Sequence, residues 1–205
     1  MDKHQSKIII FLSLATSAII VFFAFRQKVA PQINAAATPG PIPQAEAQAP
    51  LSSSVVSPDG KFELSLKQSA GKDSTSYSLN LMDQTSGAGR ELLRDSLPND
   101  VSLSIPLNTF SPDDKYVFLK ASGFGGLKYF VLDASKTTTI SLSDTTDFST
   151  PFAVKYPNYV ITEATGWAAP TLIVINVNKT DGSTGPSLWY DLLNKSYILL
   201  SERFN

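Results

Sequence analysis

Alternating apolar and polar positions recur along the chain after residue 51, and one unbroken apolar run precedes them. Residues 8–25 read IIIFLSLATSAIIVFFAF, 18 positions with no charge and only Ser13, Thr16 and Ser17 polar. A helix of this run is roughly 27 Å long, close to a thin bilayer core. The pattern predicts one transmembrane signal-anchor helix at 8–25, behind a short tail at 1–7. A cleaved signal peptide is the competing reading. Its apolar stretch is ordinarily about 7–15 residues, and here Arg26 and Lys28 follow the run directly. The uncleaved anchor is favoured.

Lys3 and Lys7 before the run balance Arg26 and Lys28 after it, so the positive-inside count is equal. A short basic tail before a signal-anchor ordinarily stays in the cytoplasm. The expectation is a single-pass membrane protein with its large domain outside the cytoplasm. Residues 26–50 read as a Pro/Ala/Gln-rich linker. Pro31, Pro39, Pro41, Pro43 and Pro50 interrupt any helix there. At about 3.1 Å per extended residue, the stretch 29–50 reaches at most roughly 70 Å.

Residues 51–205 carry strand-like runs separated by Ser, Thr, Asp, Gly and Pro clusters. Phe62, Leu64 and Leu66 alternate with Glu63 and Ser65, the period of a strand with one wet face. Further strands are expected at 77–82, 116–121, 129–132, 159–162, 171–177 and 197–200. Trp189 and Tyr190 sit in a strand pattern and read as core. Glu91 to Leu97 reads as a short helix or as a strand. The fold class expected is all-β, in antiparallel strands.

A local motif occurs twice. Ser57-Pro58-Asp59-Gly60-Lys61 precedes Phe62, and Ser111-Pro112-Asp113-Asp114-Lys115 precedes Tyr116, 54 residues later. Pro pre-sets φ for the turn, and Ser and Asp side chains bond to nearby amides. Gly60 relaxes the turn exit. Asp114 replaces it if φ stays negative or if Asp accepts the left-handed region. Each motif leads to a strand that ends in Asp, at Asp83 and at Asp133. Short apolar strands near 91–93 and 139–142 then close each unit. A third, degenerate unit has Tyr156-Pro157-Asn158-Tyr159 in the turn position and Trp189 to Lys195 as its strand–Asp–turn segment.

These ordered features resemble the TolB-type, WD-like β-propeller repeat, over most of residues 51–205. The resemblance implies four-stranded blades around an axis, used mainly as protein-interaction platforms. Propellers ordinarily need at least four blades to close. Two clear copies and one degenerate copy imply an incomplete, propeller-like assembly whose open edges invite self-association.

Composition narrows the chemistry. The chain has no cysteine, and its one histidine is His4, ahead of the apolar run. The β-rich segment therefore offers no imidazole for a triad or proton shuttle and no thiolate. It carries 13 Lys/Arg and 16 Asp/Glu without a basic cluster, which argues against nucleic acid as a partner. Asp59, Asp83, Asp113, Asp133 and Asp191 read as turn caps. Asp113-Asp114 is a weak cation candidate without the ligand spacing of a calcium loop. Gly123-Phe124-Gly125-Gly126 reads as a hairpin turn with Phe124 near its tip. It lacks the helix and the Gly-Lys-Ser/Thr ending of a phosphate loop.

The resulting expectation is a membrane-anchored, noncatalytic module binding protein or cell-envelope polymer, with Phe124 and Trp167 as the candidate interaction surface. No catalytic, cofactor-binding or metal-binding residue is assigned. Two alternatives stand: a membrane-bound hydrolase or lyase using paired carboxylates, and a structural β-domain that forms homo-oligomers through its sheet edges.

Overall fold

A computed structural model describes residues 51–204. The tail 1–7, the expected membrane helix 8–25 and the linker 26–50 lie outside the described residues. Among the described residues no helix is long and apolar enough to cross a membrane.

Among the described residues, twelve strands form three antiparallel sheets of four, each a meander in chain order. The first contains β1 (Leu51–Val56), β2 (Phe62–Ala70), β3 (Ser74–Asp83) and β4 (Gly89–Pro98). The central sheet contains β5 (Ser102–Ser104), β6 (Tyr116–Gly123), β7 (Gly126–Asp133) and β8 (Thr146–Asp147). The third contains β9 (Tyr159–Ala169), β10 (Leu172–Lys179), β11 (Thr184–Asp191) and β12 (Ser196–Leu199). A short α-helix, α1 (Ser149–Lys155), connects the last two sheets.

The central sheet is buried on both faces. Val117, Leu119 and Ala121 of β6, with Phe130 and Leu132 of β7, pack against the first sheet. Phe118, Tyr129 and Val131 pack against the third. Successive side chains of a strand point to opposite faces, so one continuous apolar run serves two cores. No core cluster joins the first sheet to the third among the described residues. The described stack is therefore open.

Residues 89–98 form strand β4, not a helix. The register shifts opposite Leu79 and Asn80, and this bulge turns both Leu92 and Leu93 into the core. Two adjacent buried leucines look helical in sequence, but one extra residue in a strand produces them as well. Residues 139–142 form no fourth strand of the central sheet. Ile140 instead bridges in parallel to Leu93 of the first sheet, and β8 closes the central sheet.

The first turn of the third unit lies later than the sequence suggested. It is at Ala169-Pro170-Thr171, between β9 and β10, while Pro157 precedes β9 altogether. The backbone reports the equivalence directly. After each terminal Asp, the next residue donates its N–H to the carbonyl just before the second strand. Gln84 bonds Lys61 at 2.8 Å, Ala134 bonds Lys115 at 2.7 Å and Leu192 bonds Thr171 at 2.9 Å. The Trp189-Tyr190 pair is also divided. Tyr190 is in the core at 2 % exposure, whereas Trp189 occupies a half-buried position on the alternate, outward face.

Candidate functional site

The two Ser-Pro-Asp turns are built alike. Ser57 Oγ donates to Asp59 Oδ1 at 2.8 Å and accepts the Phe62 N–H at 3.0 Å. Ser111 Oγ donates to Asp113 Oδ1 at 2.6 Å and accepts the Tyr116 N–H at 2.9 Å. Each Asp also receives the N–H of the following lysine. The Asp113 carboxylate, half of the cation candidate, is thus engaged in its own turn. Asp114 adopts the left-handed region at φ 56°, where the first turn has Gly60 at 76°. Among the described residues no group of three or more His, Cys, Asp or Glu side chains is placed to hold a metal ion.

The fold brings both turns to one end of the stack, where the leading segments of all three units converge. A groove of about 470 Å³ lies there. Val56 and Pro58 come from the first unit, Leu107 and Pro112 from the second, and Trp167 of β9 and Val174 of β10 from the third. Leu107 is 86 % exposed and Val56 53 %, so the groove presents apolar surface to solvent.

Trp167 is fixed in this groove. Its indole N–H donates to the Thr109 carbonyl at 3.0 Å, and its ring stacks on Tyr116 with centroids 6.4 Å apart. Gly166 beside it is closely covered: a Cβ there would stand 3.0 Å from Asn108 Cβ. The Asn108 amide donates to the Thr165 carbonyl at 2.9 Å, holding the loop 105–108 against β9.

Electrostatics at the two Ser-Pro-Asp turns are uneven. Hydrogen bonds from Lys61 and Ser57 hold the Asp59 carboxyl well below the ordinary carboxylate range. The same contact raises the Lys61 ammonium. Partial burial, then the neighbouring Asp59 carboxylate, push Asp114 upward. A hydrogen bond from Ser111 lowers Asp113.

Phe124 is elsewhere. It lies at the β6–β7 hairpin, beyond the end of β6 opposite Tyr116, so the two sequence-designated residues do not share a site. Gly123 pairs with Gly126, leaving Phe124-Gly125 as a two-residue loop. Phe124 is 44 % exposed at φ 22°, with Lys128 Nζ 5.1 Å from its ring centroid. It borders a second groove of about 480 Å³ against α1 and β9. There Val154 is 81 % and Val160 54 % exposed.

Sequence reasoning did not single out Leu107, Asn108 or Phe110. Their segment, Ile105-Pro106-Leu107-Asn108-Thr109-Phe110, has no strand or turn period, and its role comes from contacts to residues more than 50 positions away. No protein-family model and no curated protein sequence matches the chain.

Proposed function

We propose that the chain is a membrane-anchored, noncatalytic module outside the cytoplasm, with an open, propeller-like stack of three four-stranded blades. It binds a protein or a cell-envelope polymer through the groove at Trp167. The observation that carries this reading is the convergence of three equivalent meanders on one solvent-open apolar groove, with a rigidly held tryptophan in its wall. Exposed apolar surface gathered at one place is characteristic of interaction sites, and anchored aromatic residues are frequent binding hot spots. Residues 51–205 contain no histidine or cysteine, which removes imidazole proton shuttles and thiolate nucleophiles from consideration.

The test is binding of the full chain, reconstituted in vesicles, to purified envelope polymer and to solubilised envelope proteins. Leu107→Asp places a charge in the groove at an exposed position, so it leaves the fold intact and weakens binding at least tenfold. Phe124→Ala at the far hairpin leaves binding unchanged. Equal binding by wild type and Leu107→Asp overturns the groove assignment.

A carboxylate-dependent hydrolase or lyase is the second reading. The observation that favours it is the meeting of two carboxyls, Asp59 and Asp114, where the two Ser-Pro-Asp turns come together. Hydrolysis or elimination of an envelope polymer by wild type, lost in Asp114→Asn, would establish it.

A further inference from the structure

The two ends of the stack differ in chemistry. Eight residues of β6, at about 3.3 Å each, separate them by roughly 26 Å. The Trp167 groove lies at one end, with both Ser-Pro-Asp turns and the ends of β3, β7 and β11. The turns there hold Asp59, Asp83, Asp113, Asp114, Asp133 and Asp191 against Lys61, Lys115, Lys136 and Lys195, an excess of carboxylates. The β2–β3, β6–β7 and β10–β11 hairpins lie at the other end. There Lys72, Lys128 and Lys179 match Asp73, Asp100 and Asp181 in number.

This second end presents apolar surface. Phe124 of the hairpin tip, Val154 of α1 and Val160 of β9 are all exposed and line one groove. No Asp or Glu lines that groove, whereas Lys128 does. The Lys128 ammonium sits over the Phe124 ring, so cation and apolar surface adjoin.

The chain also enters the β-stack at this end. β1 begins at Leu51, which is 69 % exposed and pairs with Gln68 near the β2–β3 hairpin. Leu51 lines a pocket with Val101 and Ser102. Ser102 pairs with Ser122, next to Gly123 of the Phe124 hairpin. Residues 1–50 therefore join the stack at the Phe124 end, and β1 carries the chain away from it to Val56 at the Trp167 groove.

We propose that the Phe124 end is a docking surface for the lipid bilayer that holds residues 8–25, with Phe124, Val154 and Val160 entering the boundary between headgroups and acyl chains. Binding of this kind grows with the apolar area buried and with the attraction of cations to anionic lipid. Lys128 supplies the cation, because a lysine can keep its ammonium at the level of the phosphates while apolar neighbours enter. The carboxylate excess at the opposite end is repelled by anionic lipid, so the Trp167 groove faces away from the bilayer. The inference rests on the anchor in the proposed function and is independent of what the groove binds.

The test uses the full chain in vesicles of phosphatidylcholine and phosphatidylglycerol that contain nitroxide-labelled lipid. The chain has no cysteine, so Val154→Cys and Leu193→Cys each take a single environment-sensitive fluorophore. Both positions are exposed, one at each end. The label at 154 is expected to shift to the blue and to be quenched at least twice as strongly as the label at 193. Adding Phe124→Asp lowers the quenching at 154 to the level at 193. Equal or reversed quenching of the two labels overturns the docking, as does quenching at 154 that survives Phe124→Asp. A blue shift without nitroxide quenching also overturns it, because protein and not lipid then covers the surface. Carbonate extraction separates the two readings. A chain retained by the vesicles but unquenched at 154 refutes the docking alone, and a chain released by carbonate refutes the anchor and the docking together.

Discussion

Asp114 of the second Ser-Pro-Asp turn stands against Asp59 of the first, so two copies of one motif meet in space and place like charges together. The first copy is internally balanced, because Lys61 Nζ lies 2.5 Å from Asp59 Oδ2. The second copy has an aspartate where the first has glycine, and it bears both a positive φ and the nearby carboxylate.

Asp114→Asn therefore stabilises the protein at neutral pH. Asparagine accepts the left-handed conformation and carries no charge. Asp114 is raised above its ordinary value, so the stability tied to its protonated form is complete below that value and lost as pH rises through the raised one. Solvent screening at this half-exposed position limits the gain to a few tenths of a kcal/mol, roughly 0.5. Thermal midpoints of the two chains differ at pH 7 and converge near pH 3.

The other turn aspartates act in the opposite direction. Hydrogen bonds, chiefly from turn side chains and amides, lower Asp59, Asp83, Asp113, Asp144, Asp181 and Asp191. A depressed carboxyl contributes stability above its ordinary value, 3.8 for Asp, and that contribution is lost as pH falls through the lowered value. The melting temperature is expected to fall steeply below about pH 4. Asp83→Ala removes the acceptor for the Thr85 and Ser86 amides. It lowers the midpoint at pH 7 and flattens the acid limb of the curve. A midpoint independent of pH between 5 and 2 would contradict this account.

Phe124→Asn raises stability. A two-residue hairpin loop prefers Asn-Gly, because both central positions take positive φ, and here they read 22° at Phe124 and 75° at Gly125. The expected gain is about 0.5–1 kcal/mol by chemical denaturation. An unchanged or lowered midpoint in Phe124→Asn would contradict this account.

Gly123→Ala destabilises by about 2–4 kcal/mol. The added Cβ would stand 2.6 Å from the Asp100 carbonyl oxygen and 2.9 Å from Val101 Cα, at a φ of 119°. Neither obstacle is the end of a flexible side chain, so the β5–β6 edge must move. Gly60→Ala at the first turn meets only the φ penalty, with nothing within 4 Å, and costs less. Denaturation of both variants orders them, and an equal cost would remove the close-approach argument.

Local chemistry carried much of the fold. The alternation at Phe62–Leu66 and the Ser-Pro-Asp spacing each rest on neighbours within a few residues, so strands and turns were legible there. The Gly123–Gly126 hairpin was legible for the same reason. Where nearby residues support two answers, as at Leu92-Leu93, the bulge against β3 made the choice. Pro157 and Pro170 both look like turn residues, and only pairing of β9 with β10 shows which one sits in the first turn of the third unit.

The candidate site was legible in part. Trp167 stood out as a large aromatic beside Gly and Pro, but its partner Thr109 is 58 residues away. Phe124 was visible as a hairpin tip, yet nothing local places it at the other end of β6 from Trp167. Trp189 and Tyr190 are adjacent in a strand, so the pleat sends one outward and one inward. Which is which depends on the sheet that packs against them. By itself the sequence determined the β-rich composition, the turn chemistry, and the lack of imidazole and thiol groups beyond residue 50, because these depend on residue type and short spacing. Tertiary structure alone decided the order of the sheets and the convergent groove, because each depends on contacts between residues that chain distance does not relate.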